Sequence, residues 1–361
     1  MKKYIFLLAL LFTNQFVKSQ TQKVFLTVPG FNEVSRIDTN GFSILPSGRF
    51  VQPAGKTLRI TNDPFGLKIS PDGTIAIALH ENSISIIDLK NNLVKRVPEY
   101  HKSAESPLKE GAFLGIAFHP TKKIVYLSGG DEGTVVIYDF EKFKKIDSIK
   151  LDGKFNDIKY EGSFTSDIAY LNKTNDLLIL DRGNFRLVRY NLLERKIIAS
   201  IPTGRQPFGL AISPDQKTVL VANVGMYAYP LVEGTTKENI QSQYINWHPY
   251  GNNTNASING TIVDGKKIPG LGDPNAKEAM SVYCIDLIQN VVKAKLKTGL
   301  QIGELVEDAE VIGGASPNSI AVGNKYAYVT NATNDNIAVI DYKSGKIIKH
   351  IPIKVDNKLD R

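Results

Sequence analysis

The chain has 361 residues, of which 42% are hydrophobic and 22% charged, so it can build a substantial core and does not read as disordered or fibrous. Its formal net charge of +8 comes from lysines spread along the chain without a basic stripe interleaved with aromatics, which excludes a nucleic-acid surface. A single cysteine excludes an intrachain disulfide, and five scattered histidines without HxH or HExxH spacing give no support to a zinc or haem centre.

Residues 1–19, MKKYIFLLALLFTNQFVKS, place Lys2 and Lys3 ahead of an apolar run from Tyr4 to Phe12 and end on the small Ser19. The run is too short to cross a bilayer core of about 30 Å, so it reads as a cleavable secretory signal and not as an anchor. Removing it takes Lys2, Lys3 and Lys18 and leaves a net charge of +5. No cysteine follows the signal to accept a lipid. The expectation is a periplasmic or secreted, unlipidated protein without a membrane anchor.

Next come residues 23–60, where KVFLTVP, EVSRID and KTLRI resemble the second, third and fourth strands of a unit lacking its first. Then a repeat begins. PFGLKISPDG (64–73), FLGIAFHPTK (113–122), FTSDIAYLNK (164–173), PFGLAISPDQ (207–216) and PNSIAVGNKY (317–326) each open with an apolar-x-apolar strand after a turn. TIAIAL, KIVYLSG, DLLILD, TVLVANV and YAYVTNA supply second strands; SISIIDL, VVIYDF, RLVRYNL, SVYCIDL and IAVIDY supply third ones. More polar runs such as KIDSIKL, RKIIASIP and KIIKHIP close the units. Period-two alternation of β-branched and aromatic residues makes these strands. Cys284 lies on one of them and reads as a small core residue.

Leu67, Ile116, Ile168, Leu210 and Ile320 hold the same place in each unit, at gaps of 49, 52, 42 and 110 residues. The first three match four-stranded propeller blades, which repeat at about 40–50 residues. The predicted fold is therefore an all-β propeller spanning residues 20–361. About six blades of an expected seven are present, the first incomplete, in an arc whose closing strand would lie beyond Arg361. An arc expressed alone should expose two apolar sheet faces and be poorly soluble or marginally stable. The long fourth gap holds roughly 55 extra residues, about 225–279, between a second and a third strand. This insertion carries Trp247, His248 and Tyr250 among many Gly, Pro and Asn residues, as expected of an ordered flap packed on the channel face.

Loops after the second strands share one face of a propeller with the insertion and with Pro64-Phe65-Gly66 and Pro207-Phe208-Gly209. The candidate contact residues there are His80, Asp181, Arg182, Asn223, Trp247, Tyr250 and Asn331. His80, Asp181, Asn223 and Asn331 suit turn capping better than contact, Asp181-Arg182 also suits a local ion pair, and Trp247 with Tyr250 equally suits pinning the long loop. GxSxG and Walker-type motifs do not occur.

YVTN at 328–331, with SPDG at 70–73 and SPDQ at 213–216, resembles the YVTN-repeat β-propeller family. LPSGRFVQPAGKTLRI (45–60), PGLGDPNAKEAMSVYCIDL (269–287) and GGASPNSIAVGNKYAYVTNATND (313–335) resemble one subgroup, in which a secreted propeller is fused to a C-terminal phosphoesterase of the alkaline-phosphatase superfamily. The resemblance covers nearly the whole mature chain. It implies a covalently linked phosphoesterase domain as partner, and none of that domain's catalytic residues has a counterpart in these 361 residues.

The sequence thus points to a non-catalytic binding or docking module for a small-molecule or protein ligand, with no cofactor and no metal. The alternative is a metal-dependent propeller hydrolase of the lactonase or gluconolactonase type, its oxygen ligands converging on the central channel. A quinoprotein dehydrogenase fits poorly, since that class docks its blades through repeated tryptophans and this chain has one.

Overall fold

Five four-stranded antiparallel sheets follow one another along the chain in a computed structural model that describes residues 27–99, 106–108, 111–236, 239–240, 242, 254–306 and 308–353. Blade 1 runs Gly66–Ile69, Ile75–His80, Ser83–Asp88 and Leu93–Val97. Blade 2 runs Ile116–Phe118, Ile124–Ser128, Thr134–Asp139 and Lys144–Lys150; blade 3 runs Thr165–Leu171, Asp176–Asp181, Arg186–Asn191 and Lys196–Pro202. Blade 4 runs Pro207–Ile212, Thr218–Asn223, Ser281–Asp286 and Val291–Lys297, and blade 5 Pro317–Val322, Ala327–Asn331, Asn336–Asp341 and Lys346–Pro352. In every blade the strands pair in chain order from inner to outer, the arrangement of a β-propeller.

In blades 2, 3 and 4 the alternating residues of the second and third strands face two different neighbours, which is why both of their faces are apolar. Leu79 and Ile84 of blade 1 meet Leu127 and Val136 of blade 2, while Tyr126 and Val135 on the other face meet Leu177 and Ile179 of blade 3. Leu180 and Leu187 then pack on Val221 and Tyr283 of blade 4, and Ala222 and Cys284 on Val329 and Ala338 of blade 5. Burying each such Leu or Ile contributes about 1.5–3 kcal/mol, so the blade interfaces are the cores that hold the stack.

The third strand of each blade ends on a carboxylate or amide that caps the next turn. Asp88, Asp139, Asn191, Asp286 and Asp341 each accept hydrogen bonds from the two backbone N–H groups that follow by two and three residues. Four residues beyond each cap, Asn92, Phe143, Arg195, Asn290 and Gly345 adopt left-handed φ values of 56°, 54°, 54°, 55° and 65°. The SPDG and SPDQ turns are also alike. Ser70 and Ser213 donate to Asp72 and Asp215 at 2.6 Å, and hydrogen bonding holds both carboxyls below the usual range.

Compact units divide the chain after Arg59. In the first, the strands expected over 23–60 do not form among the described residues. KVFLTVP lies mostly outside the described residues, EVSRID supplies only an isolated bridge from Arg36 to Ile44, and KTLRI is not a strand. The chain instead makes a short hairpin, Ser43–Ile44 with Phe50–Val51, whose tip is LPSGR: Leu45 N–H donates to Arg49 O at 2.9 Å and Gly48 N–H to Leu45 O at 2.8 Å. Gly, Pro and Ser at that tip outweigh the propensity of the flanking runs.

Candidate functional site

The inner strands run side by side around a central channel, and glycine lets them touch. A Cβ on Gly66 would stand 2.3 Å from Leu114 O, and one on Gly209 would stand 2.2 Å from Asn318 O. At the end where these strands begin, Phe65, Phe113, Phe164 and Phe208 come together from four blades. Phe113 lies 6.5 Å from Phe65, 5.2 Å from Phe164 and 5.4 Å from Phe208, the latter two edge-on. Arg182 sits over this cluster, 5.8 Å from the Phe113 ring and 5.6 Å from that of Phe164, with Nη2 donating to Gln206 Oε1 at 2.7 Å. Burial lowers its pKa, and among the described residues no carboxylate closes an ion pair with it. Phe65 stays 47% exposed, so the mouth presents rings and a guanidinium to solvent.

The other candidates from the second-strand ends are drawn into their own sheets. His80 is buried, with Nδ1 2.8 Å from Asn62 O and Nε2 2.9 Å from Ser85 Oγ; burial pushes its pKa down and favours the neutral ring. Asn331 is buried and donates to Thr298 Oγ1 at 3.0 Å and Asn336 Oδ1 at 2.7 Å. Asn223 is buried and donates to Ser281 O at 3.2 Å, while its Oδ1 lacks a partner among the described residues. Asp181 pairs with Arg186 at 2.7 Å and not with its neighbour Arg182, because strand alternation turns Arg182 toward the channel mouth. The Asp181 carboxylate also accepts from Ser163 Oγ, Phe164 N–H and Asn184 Nδ2. Trp247 and Tyr250 lie outside the described residues.

The long insertion leaves blade 4 after Asn223 and rejoins it at Ser281. Its described part holds a short helix, Asn255–Asn259, capped by Thr254, and a hairpin, Gly260–Val263 with Lys266–Pro269. The PGLGDPNA segment fastens the return path. Leu271 N–H donates to Ser257 O at 2.7 Å, and Asn275 and Ile302 exchange hydrogen bonds of 2.9 and 3.0 Å. Arg205 Nη1 donates to Met226 O at 2.7 Å and Asp273 O at 2.9 Å, gathering both legs of the insertion. Lys297 Nζ donates to Pro274 O and Ala279 O, and burial lowers its pKa to about 8.

The opposite end of the channel opens into a cavity of ≈470 Å³ lined by all five inner strands. Its walls mix the apolar side chains of Ile69, Ile116, Leu210, Ile212 and Ile320 with a comparable share of polar surface, and it carries one carboxylate, Asp167, and one ammonium, Lys68. Asp167 Oδ1 accepts from Ile168 N–H at 2.8 Å and Oδ2 from Leu210 N–H at 2.9 Å, tying blade 3 to blade 4. Burial pushes its pKa up, against these hydrogen bonds and the pull of Lys68. Neither residue was singled out from the sequence, although the repeat carries the signal. The residue before Leu67, Ile116 and Leu210 is glycine, whereas before Ile168 it is Asp167. Among the described residues no three His, Cys, Asp or Glu side chains gather as a metal site.

Residues 115–358 match the Choice-of-anchor I domain family. No curated protein matches the chain. Among solved structures it is similar to a chain of Kuenenia stuttgartiensis hydrazine synthase, with 13% identity, a TM-score of 0.44, and coverage of 84% of this chain and 90% of that one.

Proposed function

The chain belongs to the choice-of-anchor I domain family, and we propose that it serves as a non-catalytic docking module whose contact face is the aromatic end of the channel. The observation that carries this is the Phe65–Phe113–Phe164–Phe208 cluster under Arg182. Aromatic rings and arginine dominate the residues that hold protein interfaces, and here the scaffold fixes them before any partner arrives. A choice-of-anchor domain points to a surface or secreted protein, and among the described residues no helix is long and apolar enough to cross a membrane. The segment read as a signal, residues 1–19, lies outside the described residues, and periplasmic or extracellular export is part of the proposal.

The finer reading makes the partner a phosphoesterase in the same polypeptide, as the LPSGR and PGLGDPNA segments suggest by their resemblance to propeller–phosphoesterase fusions. These segments fold as the tip of the first hairpin and as the clasp of the blade 4 insertion, both outside the repeat. An activity panel separates docking from the hydrolase alternative. The purified chain, supplied with Ca²⁺, Mg²⁺ or Zn²⁺, is expected to turn over neither lactones nor phosphoesters. Turnover that disappears in Asp167→Asn would mark a channel enzyme and overturn the docking reading.

A further inference from the structure

The cavity at the other end of the channel has a composition that the docking face does not explain. Interior positions of a propeller's inner strands need small or apolar residues for the blades to approach, and blades 1, 2 and 4 place Gly66, Gly115 and Gly209 there. Blade 3 puts a carboxylate at that position and keeps it half-buried. Each oxygen of Asp167 uses one backbone N–H, and a carboxylate offers about four lone-pair sites, so acceptor capacity is left over. Lys68 lines the same cavity, yet among the described residues the two do not close into an ion pair. A chamber of mixed polarity that holds opposite charges apart beside isoleucine and leucine side chains matches a guest carrying both charges and an apolar group, at a volume within the range of about 300–1,000 Å³ usual for small-molecule sites.

We propose that the channel cavity binds a small zwitterion with an apolar side chain, of the free α-amino-acid class. Its ammonium meets the Asp167 carboxylate, its carboxylate meets the Lys68 ammonium, and its side chain rests against Ile116, Leu210 and Ile212. A guest ammonium supplies the counter-charge that burial denies Asp167, and charge-assisted hydrogen bonds in such a setting are about twice as strong as neutral ones. The site stands apart from the aromatic mouth, so it can fail without touching the docking role and hold if that role fails.

Calorimetric titration of the full chain tests this with three probes of one shape: L-leucine, isopentylamine and 4-methylpentanoate. L-Leucine is expected to bind saturably at one site per chain, and each singly charged analogue at least about tenfold more weakly. Asp167→Asn and Lys68→Gln are each expected to weaken leucine by at least about tenfold. Lys68 is exposed, so Lys68→Gln keeps the test valid if Asp167→Asn fails to fold. Absence of leucine binding up to about 10 mM on the folded chain overturns the proposal, as does isopentylamine binding as well as leucine. Leucine binding unchanged in Lys68→Gln overturns it too.

Discussion

Asp181 shows how a residue that looks available in the sequence is consumed by the fold. Its carboxylate and the Arg186 guanidinium are both fully buried, Arg186 Nη2 donates to Leu151 O at 2.8 Å, and its guanidinium carbon stands 3.4 Å from the Tyr160 ring centroid. Removing one partner of such a pair strands the other, so Asp181→Ala should cost about 3–5 kcal/mol in urea unfolding. A loss below about 1 kcal/mol would show the pair to be dispensable. His80 gives a pH dependence. Its folded pKa lies below the ordinary 6.5, so the unfolded chain takes up the proton more readily. The stability it contributes is complete above about 6.5 and is lost as pH falls below that value. Urea midpoints should therefore be lower at pH 5 than at pH 7.5, and His80→Gln should shrink the difference. His119 and His350, lowered by burial in the same way, keep it from vanishing. An unchanged difference in His80→Gln would rule the residue out.

Strands and turns were legible to different depths. Alternation of β-branched and aromatic residues betrayed the blades, because both faces of the middle strands of blades 2, 3 and 4 pack on a neighbour and the pattern there has no polar side to blur it. The N-terminal runs mislead, since KTLRI alternates as a strand does but finds no pairing partner as one. The repeated turn is subtler. Its left-handed position, four residues beyond each cap, is filled by Asn, Phe, Arg, Asn and Gly, so no single residue type announces it. Gly345 is the position where this geometry is most demanding, for an added Cβ would also stand 2.9 Å from Ala294 Cβ. Gly345→Ala should lower stability by about 1–2 kcal/mol, whereas Asn92→Gly should stay within about 0.5 kcal/mol, both read from chemical denaturation. Equal effects at the two sites would mean that the turn is not a shared device. The clasp of the insertion was hidden for another reason. Arg205 and Lys297 flank the insertion in the chain, and only the folded carbonyls of Met226, Asp273, Pro274 and Ala279 show what they hold.

At the scale of the molecule, a repeat turns like positions into neighbours, and function collects where the likeness is broken. Phe113 and Phe164 were out of reach of sequence reasoning because the register of FLG and FTS differs from that of PFG, although all four rings meet at one mouth. Asp167 and Lys68 lie 99 residues apart in the chain and share a cavity only because inner strands converge. The channel therefore has two chemically distinct ends, one aromatic with a guanidinium that closes no ion pair among the described residues, and one of mixed polarity with separated charges. Site-specific photo-crosslinking in the exporting cell tests docking through the first end directly. A benzophenone side chain is placed at Phe65 in the aromatic mouth or, as the internal control, at Pro71 beside the cavity. A discrete, saturable adduct is expected from position 65, suppressed by Arg182→Ala, and none from position 71. Adducts from position 71 alone, or from neither position, would contradict docking through the aromatic mouth.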